Sequence, residues 1–454
     1  MMDAISPLDG RYHALLAPVR QHFSEFALMR ARVQVEVAHA LALDPVFGQA
    51  TEAVKNHARQ TASQFSAEDF LAIRRIESEI RHDVKAVEVF LRLRLGFVNP
   101  NRIHFGLTSE DVNNLAWSIC ARDYVQTAQL PLWRALLADL VALAERWQDA
   151  PLPARTHGQH ATPTTAGKEL AVFISRLLTP MQALRTLRLR GKLNGATGNY
   201  SAMLVAAPDI DWRAYERQFV QSLGFDVNLA TTQIEDCASF AEYFHVVNCA
   251  NQVLLDLAQD VWLYISFGYL VQKPQPGEVG SSTMPHKINP IRFENAEGNL
   301  QLSNALLVFL ADKLSRSRMQ RDLSGSTVMR NIGVAIGHHH MAVQELRKGL
   351  AAIDLDRQAC LRELAAHPEL LAEPVQSVLR TVRPDDVYTE LKHLTRGTTF
   401  SERDLAHMIG DLPNAAAERL HGLTPQSYLG DAERVCREVL SAARAELATS
   451  ELLP

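Results

Sequence analysis

The sequence is poor in several features, and each lack excludes something. It has five cysteines in 454 residues: Cys120, Cys237, Cys249, Cys360 and Cys436. No two stand at C-x-x-C spacing, and their number is odd. That argues against a disulfide framework and against a cysteine zinc site. It points to free, buried thiols in a reducing compartment, so a cytoplasmic location is expected. Long apolar runs are missing. VWLYISFGYLV, Val261 to Val271, is the most apolar run and is too short to span a bilayer. The first residues, MMDAISPLDGRYHALL, lack the apolar stretch of a secretory signal. There is no surplus of positive charge: the net charge is -5 and the sequence pI is about 6.4. Neither a nucleic-acid partner nor a membrane is expected. A local cationic pocket for a small anion remains compatible with that balance. No G-x-x-x-x-G-K-[ST] phosphate loop occurs. GKLNGATGNY, Gly191 to Tyr200, has its glycines in another order, follows no strand pattern, and reads as a tight turn between helices.

Helical periodicity is abundant. Leu170, Phe173, Ile174, Leu177, Leu178, Met181 and Leu184 step by three or four and form one apolar stripe. Leu132, Leu136, Leu140 and Leu143 form another. A third runs through Val253, Leu254, Leu257, Val261, Tyr264 and Ile265. Alternation of strand length is scarce. The fold class expected is all-α, with unusually long central helices packed as a bundle. One runs from about Asp111 to Trp147, broken only by Pro131; another runs from about Phe240 to Val271. At roughly 150 residues per domain the length allows about three domains. We place them at residues 1–109, 110–351 and 352–454. The first is helical, the second is the long-helix bundle, and the last is a smaller helical unit. The run His338, His339, His340 does not read as a metal site. Successive helical side chains diverge by about 100°, so the three cannot converge on one ion, and a polar stretch of helix is expected.

Four stretches carry polar and rigid residues without a period. They are SPLDGRY (6–12); RHDVK (81–85) with GLTSEDVNN (106–114); RTHGQHATPTTAGKE (155–169); and GSSTMPHKINP (280–290) with RSRMQRDLSGSTVMRN (316–331). In the loop that leads into and includes 280–290, Pro274, Pro276, Pro285 and Pro290 forbid a continuous helix, and Gly277 and Gly280 free its entrance. Ordinary connections run to about four to six residues. A loop this long, rich in hydroxyls, fits a flap that closes over a site. A serine hydroxyl is a weak base unless its alkoxide is stabilised, and Lys287 supplies a nearby cation. Such a serine would remove a carbon-bound proton. A second group must then protonate the leaving group, and His157 suits that role.

GSSTMPHKINP resembles the signature of the fumarase/aspartase superfamily, whose members eliminate an amine, amide or water from a succinyl group and release fumarate. SPLDGRY, RHDVKAVE, TSEDVNNL, RTHGQ, GKLNGATGNY, TTQIE and RDLSGSTVMRN together resemble the bacterial adenylosuccinate lyases that keep a long N-terminal segment. The resemblance runs nearly the length of the chain. It implies cleavage of adenylosuccinate to AMP and fumarate, and of succinyl-aminoimidazole carboxamide ribotide with release of fumarate. It implies Ser281 as the base and His157 as the acid, with Lys287 and Asn289 on the carboxylate that takes up charge. Thr108 and Ser109 would hold succinyl oxygens. Arg11, Tyr12, Arg321, Ser326 and Arg330 would contact phosphate and ribose, with Thr327 beside them. Arg81, His82, Asp83, Gln233 and Asn295 match further pocket positions, with His82 near the acid. No metal or organic cofactor is implied, because the substrate's own carboxylate is the electron sink. The family commonly has proline where this chain has His160. A proline would stiffen the turn after His157; the histidine adds a second imidazole there. The alternatives are a sister lyase acting on argininosuccinate, aspartate or malate, or a non-catalytic structural protein on the same scaffold.

Spacing also bears on assembly. TSED precedes the helix from Asp111, and RTHGQ follows its end. A straight helix of that length separates its ends by about 55 Å. Both motifs cannot serve one pocket within one chain, so a homo-oligomer with shared sites is expected. The resemblance implies a homotetramer whose sites draw on three chains.

Overall fold

The computed structural model describes residues 3–274, 283–284, 286–395, 403, 409–410 and 413–449. The fold is all-α, 67% helical. The helices that position the site are labelled α1 (Glu25–Ala42), α2 (Ala67–Ile80), α3 (Asp83–Arg94), α4 (Ser109–Tyr124), α5 (Leu130–Arg146), α6 (Ala166–Thr186), α7 (Ala238–Ser266), α8 (Ile291–Leu314), α9 (Ser324–Met329), α10 (Ile332–Ala351), α11 (Arg357–Ala365) and α12 (Ala432–Ala448). Helices α7, α8 and α10 pack on one another, and α5 packs on α6. The principal core cluster runs along these helices and takes in Leu8 and Leu16 at one end of the chain and Leu440 and Ala443 at the other. A second cluster joins α1, α2 and α3 through Val33, Ile73 and Val87. A third joins Val375, Leu379 and Leu420 near the C-terminus.

Helices α4 and α5 form one continuous rod. A π-helical stretch, Val125–Gln129, joins them. Pro131 lacks the N–H for its place in the ladder and its ring crowds the preceding turn. The wider π turn takes up that mismatch where a kink would otherwise form. Buried Gln129 accepts from the Tyr243 hydroxyl at 2.7 Å. From Ser109 to Arg146 the rod is about 57 Å long at 1.5 Å per residue.

Strand content is small but placed where it matters. β1 (Pro151–Thr156) and β2 (Gln159–Thr165) form an antiparallel hairpin directly after the rod. β3 (Arg190–Gly191) pairs in parallel with β4 (Asp226–Val227), and β5 (Leu270–Gln272) pairs antiparallel with β6 (Ile353–Leu355). The hairpin was not expected from the sequence. His157 and Gly158 occupy its two-residue turn at φ 53° and 74°. Two positive φ values make the primed turn whose twist matches the flanking strands.

The three consecutive histidines differ from expectation. They lie inside the bundle, with exposures of 7, 0 and 2%. Each meets a different partner: His338 Nδ1 lies 2.8 Å from Asn299 Oδ1, His339 Nδ1 lies 2.6 Å from Asn251 Oδ1, and His340 Nδ1 lies 3.0 Å from the Tyr124 hydroxyl. Their directions do diverge, but into a polar core where buried imidazoles need partners. All five cysteines are free; Cys120, Cys360 and Cys436 are buried, whereas Cys249 is exposed, against expectation. Among the described residues, no helix is long and apolar enough to cross a membrane.

Candidate active site

A cavity of about 520 Å³ opens at the N-terminal end of the rod. That is ample for a small-molecule ligand. Its wall holds Arg81, His82 and Asp83 from the α2–α3 junction and Ser109 from the start of α4. Arg321, Ser326, Thr327 and Arg330 come from the segment around α9. Residues far apart in the chain converge here. The rod's first turn brings the positive end of the helix dipole to the cavity, which favours an anion.

Each contribution has a local cause. α2 ends on Arg81 in the left-handed region, φ 56°. His82 then caps α3: its Nδ1 accepts the Lys85 N–H at 3.1 Å. The neutral ring therefore carries its proton on Nε2. Asp83 accepts from Arg32 and from Arg330, each at 2.8 Å. Burial pushes the Asp83 carboxyl up. The charge of Arg32, the Val84 N–H and the charge of Arg330 outweigh it and hold the group below its usual range. Arg330 also grips Glu25 through both carboxylate oxygens, at 2.7 and 2.8 Å. Arg321 donates to Gln233 Oε1 at 2.9 Å and pairs with Glu110 at 2.9 Å. Gln233 thus orients a wall arginine. The wall carries six arginines and five carboxylates, so several of its cations are already neutralised by fixed acids.

Beneath the cavity lies a fully buried ion pair. Lys192 Nζ sits 2.9 Å from Asp111 Oδ1, and both side chains are 0% exposed. Asp111 also accepts the N–H groups of Thr108 (2.8 Å), Asn194 (3.1 Å) and Gly195 (3.2 Å). The 191–200 stretch is therefore a seat for the first turn of α4 and holds Thr108 and Ser109 in place. Gly198 has φ 78°, and a Cβ there would meet the Thr231 carbonyl at 2.3 Å. Only glycine fits that close approach.

Other expected residues lie elsewhere. Arg11 and Tyr12 stack on each other in the N-terminal turn, with the guanidinium 5.9 Å from the ring, and do not line the cavity. Lys287 is exposed and Asn289 half-buried, just before α8. Asn295, on the first turns of α8, accepts from Asn299 Nδ2 at 2.6 Å, and Asn299 in turn meets His338. Ser281 lies outside the described residues. His157 is exposed at the hairpin tip, at the far end of the rod from the cavity. Arg32, Glu110, Asn113 and Arg190 line the wall without having been singled out. Glu110 and Asn113 stood within GLTSEDVNN and were open to notice. Arg32 and Arg190 stand near other arginines in ordinary surroundings, and nothing local marks them.

Comparison with known proteins gives the family. The model of a family described as lyase matches residues 10–303, and that of the adenylosuccinate lyase C-terminal family matches residues 317–429. Adenylosuccinate lyase of Escherichia coli (strain K12) is 43% identical over 445 residues, covering 95% of this chain and 97% of that one. Adenylosuccinate lyase of Legionella pneumophila (strain Corby) is 41% identical over 449 residues, covering 96 and 98%. Two solved structures share the fold. A fumarate lyase from Mesorhizobium sp. BNC1 has a TM-score of 0.75 at 19% identity, covering 93% of this chain and 97% of that one. The 3-carboxy-cis,cis-muconate lactonizing enzyme from Pseudomonas putida has a TM-score of 0.76 at 22% identity, covering 95 and 97%. With the similarity running through both matched segments and nearly end to end, the chain belongs to the adenylosuccinate lyase family.

Proposed function

We propose that the protein cleaves adenylosuccinate to AMP and fumarate, and cleaves succinyl-aminoimidazole carboxamide ribotide with release of fumarate. The observation that carries this reading is the near end-to-end identity with proteins named adenylosuccinate lyase. The cavity supports it. A substrate with two carboxylates and a phosphate suits a wall of arginines and hydroxyls around a helix N-terminus.

The reaction is a β-elimination. Ser281 takes the proton from the succinyl carbon. The electron pair left behind moves into the adjoining carboxylate, which Lys287 and Asn289 hold. The pair then returns to form the double bond, the C–N bond breaks, and His157 delivers a proton to the departing nitrogen. Thr108 and Ser109 hold succinyl oxygens. Arg81, His82, Asp83, Gln233 and Asn295 shape the pocket, and Arg321, Ser326, Thr327, Arg330, Arg11 and Tyr12 serve phosphate and ribose. The carboxylate is the electron sink, so the chemistry needs no cofactor.

His157 lies at the opposite end of a rod of about 57 Å from the cavity. The working site is therefore assembled between subunits of a homotetramer, with cavity and hairpin supplied by different chains. Exposed apolar side chains on the long helices support this: Trp262 and Leu263 on α7, and Leu302, Val308 and Phe309 on α8. The chain divides at residues 110 and 352, and the enzyme works in the cytoplasm. The test is direct: supply adenylosuccinate and argininosuccinate separately and follow fumarate. Release from adenylosuccinate alone is expected. Release from argininosuccinate but not adenylosuccinate rejects the reading in favour of a sister lyase.

A further inference from the structure

The hairpin that carries His157 is held, just below its turn, by one cluster of charged groups. Arg155 and His160 are cross-strand partners, one step inside the Thr156–Gln159 pair that flanks the turn. Arg155 Nη1 donates to the Gly158 carbonyl in the turn itself, at 3.3 Å. Arg155 Nη2 reaches Glu363 Oε1 on α11 at 3.1 Å and the Tyr269 hydroxyl at 3.2 Å. His160 Nε2 lies 2.8 Å from the same Glu363 oxygen. The Arg155 guanidinium also lies over the Phe267 ring at 4.7 Å. On the other side the His367 ring covers His160, with centroids 3.7 Å apart, and His367 Nδ1 lies 2.6 Å from Glu369 Oε1. One carboxylate thus gathers both strands of the hairpin.

His160, Glu363 and His367 also form a trio of possible metal-ligand atoms. A cation already lies among them: Arg155 Nη2 is 2.9 Å from His160 Nε2. A second positive charge there would be repelled, and Glu363 Oε1 already meets Arg155, His160 and the Tyr269 hydroxyl. The trio is better satisfied as a charge cluster. The acidity of Glu363 agrees with that. The His160 hydrogen bond, opposed by burial and aided by the charges of His160, Arg155 and His367, holds its carboxyl below the ordinary range.

We propose that Arg155, His160 and Glu363 are positioning residues that lock the orientation of the His157 turn against α11. The proposal rests on His157 being the acid. His157 sits in the left-handed region at φ 53°, the conformation its place in the two-residue turn requires. The turn itself is exposed, and the cluster one step below it fixes the two strands that set the turn. Glu363 reaches both strands from a helix 200 residues away in sequence, which ties the C-terminal part of the chain to catalysis without its touching substrate.

The test compares Glu363→Gln, which keeps the shape and removes the charge, with His157→Ala and wild type in steady-state turnover of adenylosuccinate. Circular dichroism and sedimentation check the fold and the assembly. Glu363→Gln is expected to lower kcat about tenfold or more, with KM within about twofold, because the cavity is untouched. Glu363→Asp is expected to recover part of kcat. Should Glu363→Gln fail to fold, Arg155→Lys reads the same clamp, since lysine cannot reach the turn carbonyl and Glu363 together. A folded Glu363→Gln with wild-type kcat, beside an inactive His157→Ala, overturns the positioning role and leaves the acid assignment standing. A His157→Ala variant with wild-type kcat overturns the acid assignment, and the positioning role with it.

Discussion

The two ends of the α4–α5 rod are built on opposite plans. At the cavity end, charges are many, packed and already matched: Arg330 to Glu25 and Asp83, Arg321 to Glu110, and Lys192 to Asp111 in full burial. At the hairpin end a single exposed imidazole stands on a left-handed turn, backed by one cluster of charges. Under the proposed roles, the contrast follows from what each end is asked to do. Holding a substrate with several negative charges takes many groups of moderate effect, whose loss is graded. Delivering one proton takes a single group whose loss is nearly complete but whose placement must be tight. Fixed acids beside the cavity arginines also keep an otherwise cationic pocket from repelling itself when empty.

The sharpest way to break this comparison is to mutate one residue at each end. His157→Ala is expected to lower kcat by roughly 10²- to 10⁴-fold with the oligomer intact. Arg330→Ala is expected to act mainly on KM, raising it on the order of 10- to 100-fold, the worth of a charged hydrogen bond. Steady-state kinetics on both variants checks this, and a KM effect from His157→Ala would erase the distinction. Next in size is the buried pair. Lys192→Met leaves Asp111 charged and without its counter-ion in the interior, and a loss of about 3–5 kcal/mol is expected in urea unfolding. No equivalent loss is expected from His157→Ala, since that side chain is exposed. A stable Lys192→Met protein would mean the pair is not what seats the first turn of α4.

The smallest effect per group concerns the middle of the molecule. Burial lowers His39 and His340 to about 4 and His339 to about 3, from an ordinary value of 6.5. A folded state that binds fewer protons than the unfolded one loses stability as pH falls. The loss begins near 6.5 and runs on through about 4 for His39 and His340 and about 3 for His339. Each pKa unit is worth about 1.4 kcal/mol per group. Urea midpoints should therefore fall steadily from pH 7 to pH 5, and a flat profile over that range would contradict neutral, buried imidazoles.

How much of this was legible in the sequence depended on whether the signal was local. The long rod could be read because apolar residues recur at helical spacing from Leu132 to Leu143, and Pro131 alone interrupts them. Its π turn was not legible, since the widening is a response of the surrounding bundle to one missing N–H. The hairpin hid behind threonines, prolines and one His-Gly pair, in strands too short and too irregular to alternate clearly. The triple histidine had the right divergence but the wrong depth: nothing in three adjacent imidazoles announces that Asn299, Asn251 and Tyr124 wait to receive them. In the cavity, Arg81, His82, Asp83 and Ser109 sat in stretches already conspicuous for lacking a period. Arg32 and Glu363 act through partners 51 and 208 residues away, a relation no local window contains.

The central claim is that each working site joins a cavity from one chain to a His157 turn from another. The most direct test mixes His157→Ala and Ser281→Ala proteins, each inactive alone, with subunit exchange verified by native mass spectrometry. Random reassembly should leave about one quarter of the sites with both groups intact, and activity should return to about that fraction of wild type. Mixed tetramers with no more activity than their parents would contradict the claim.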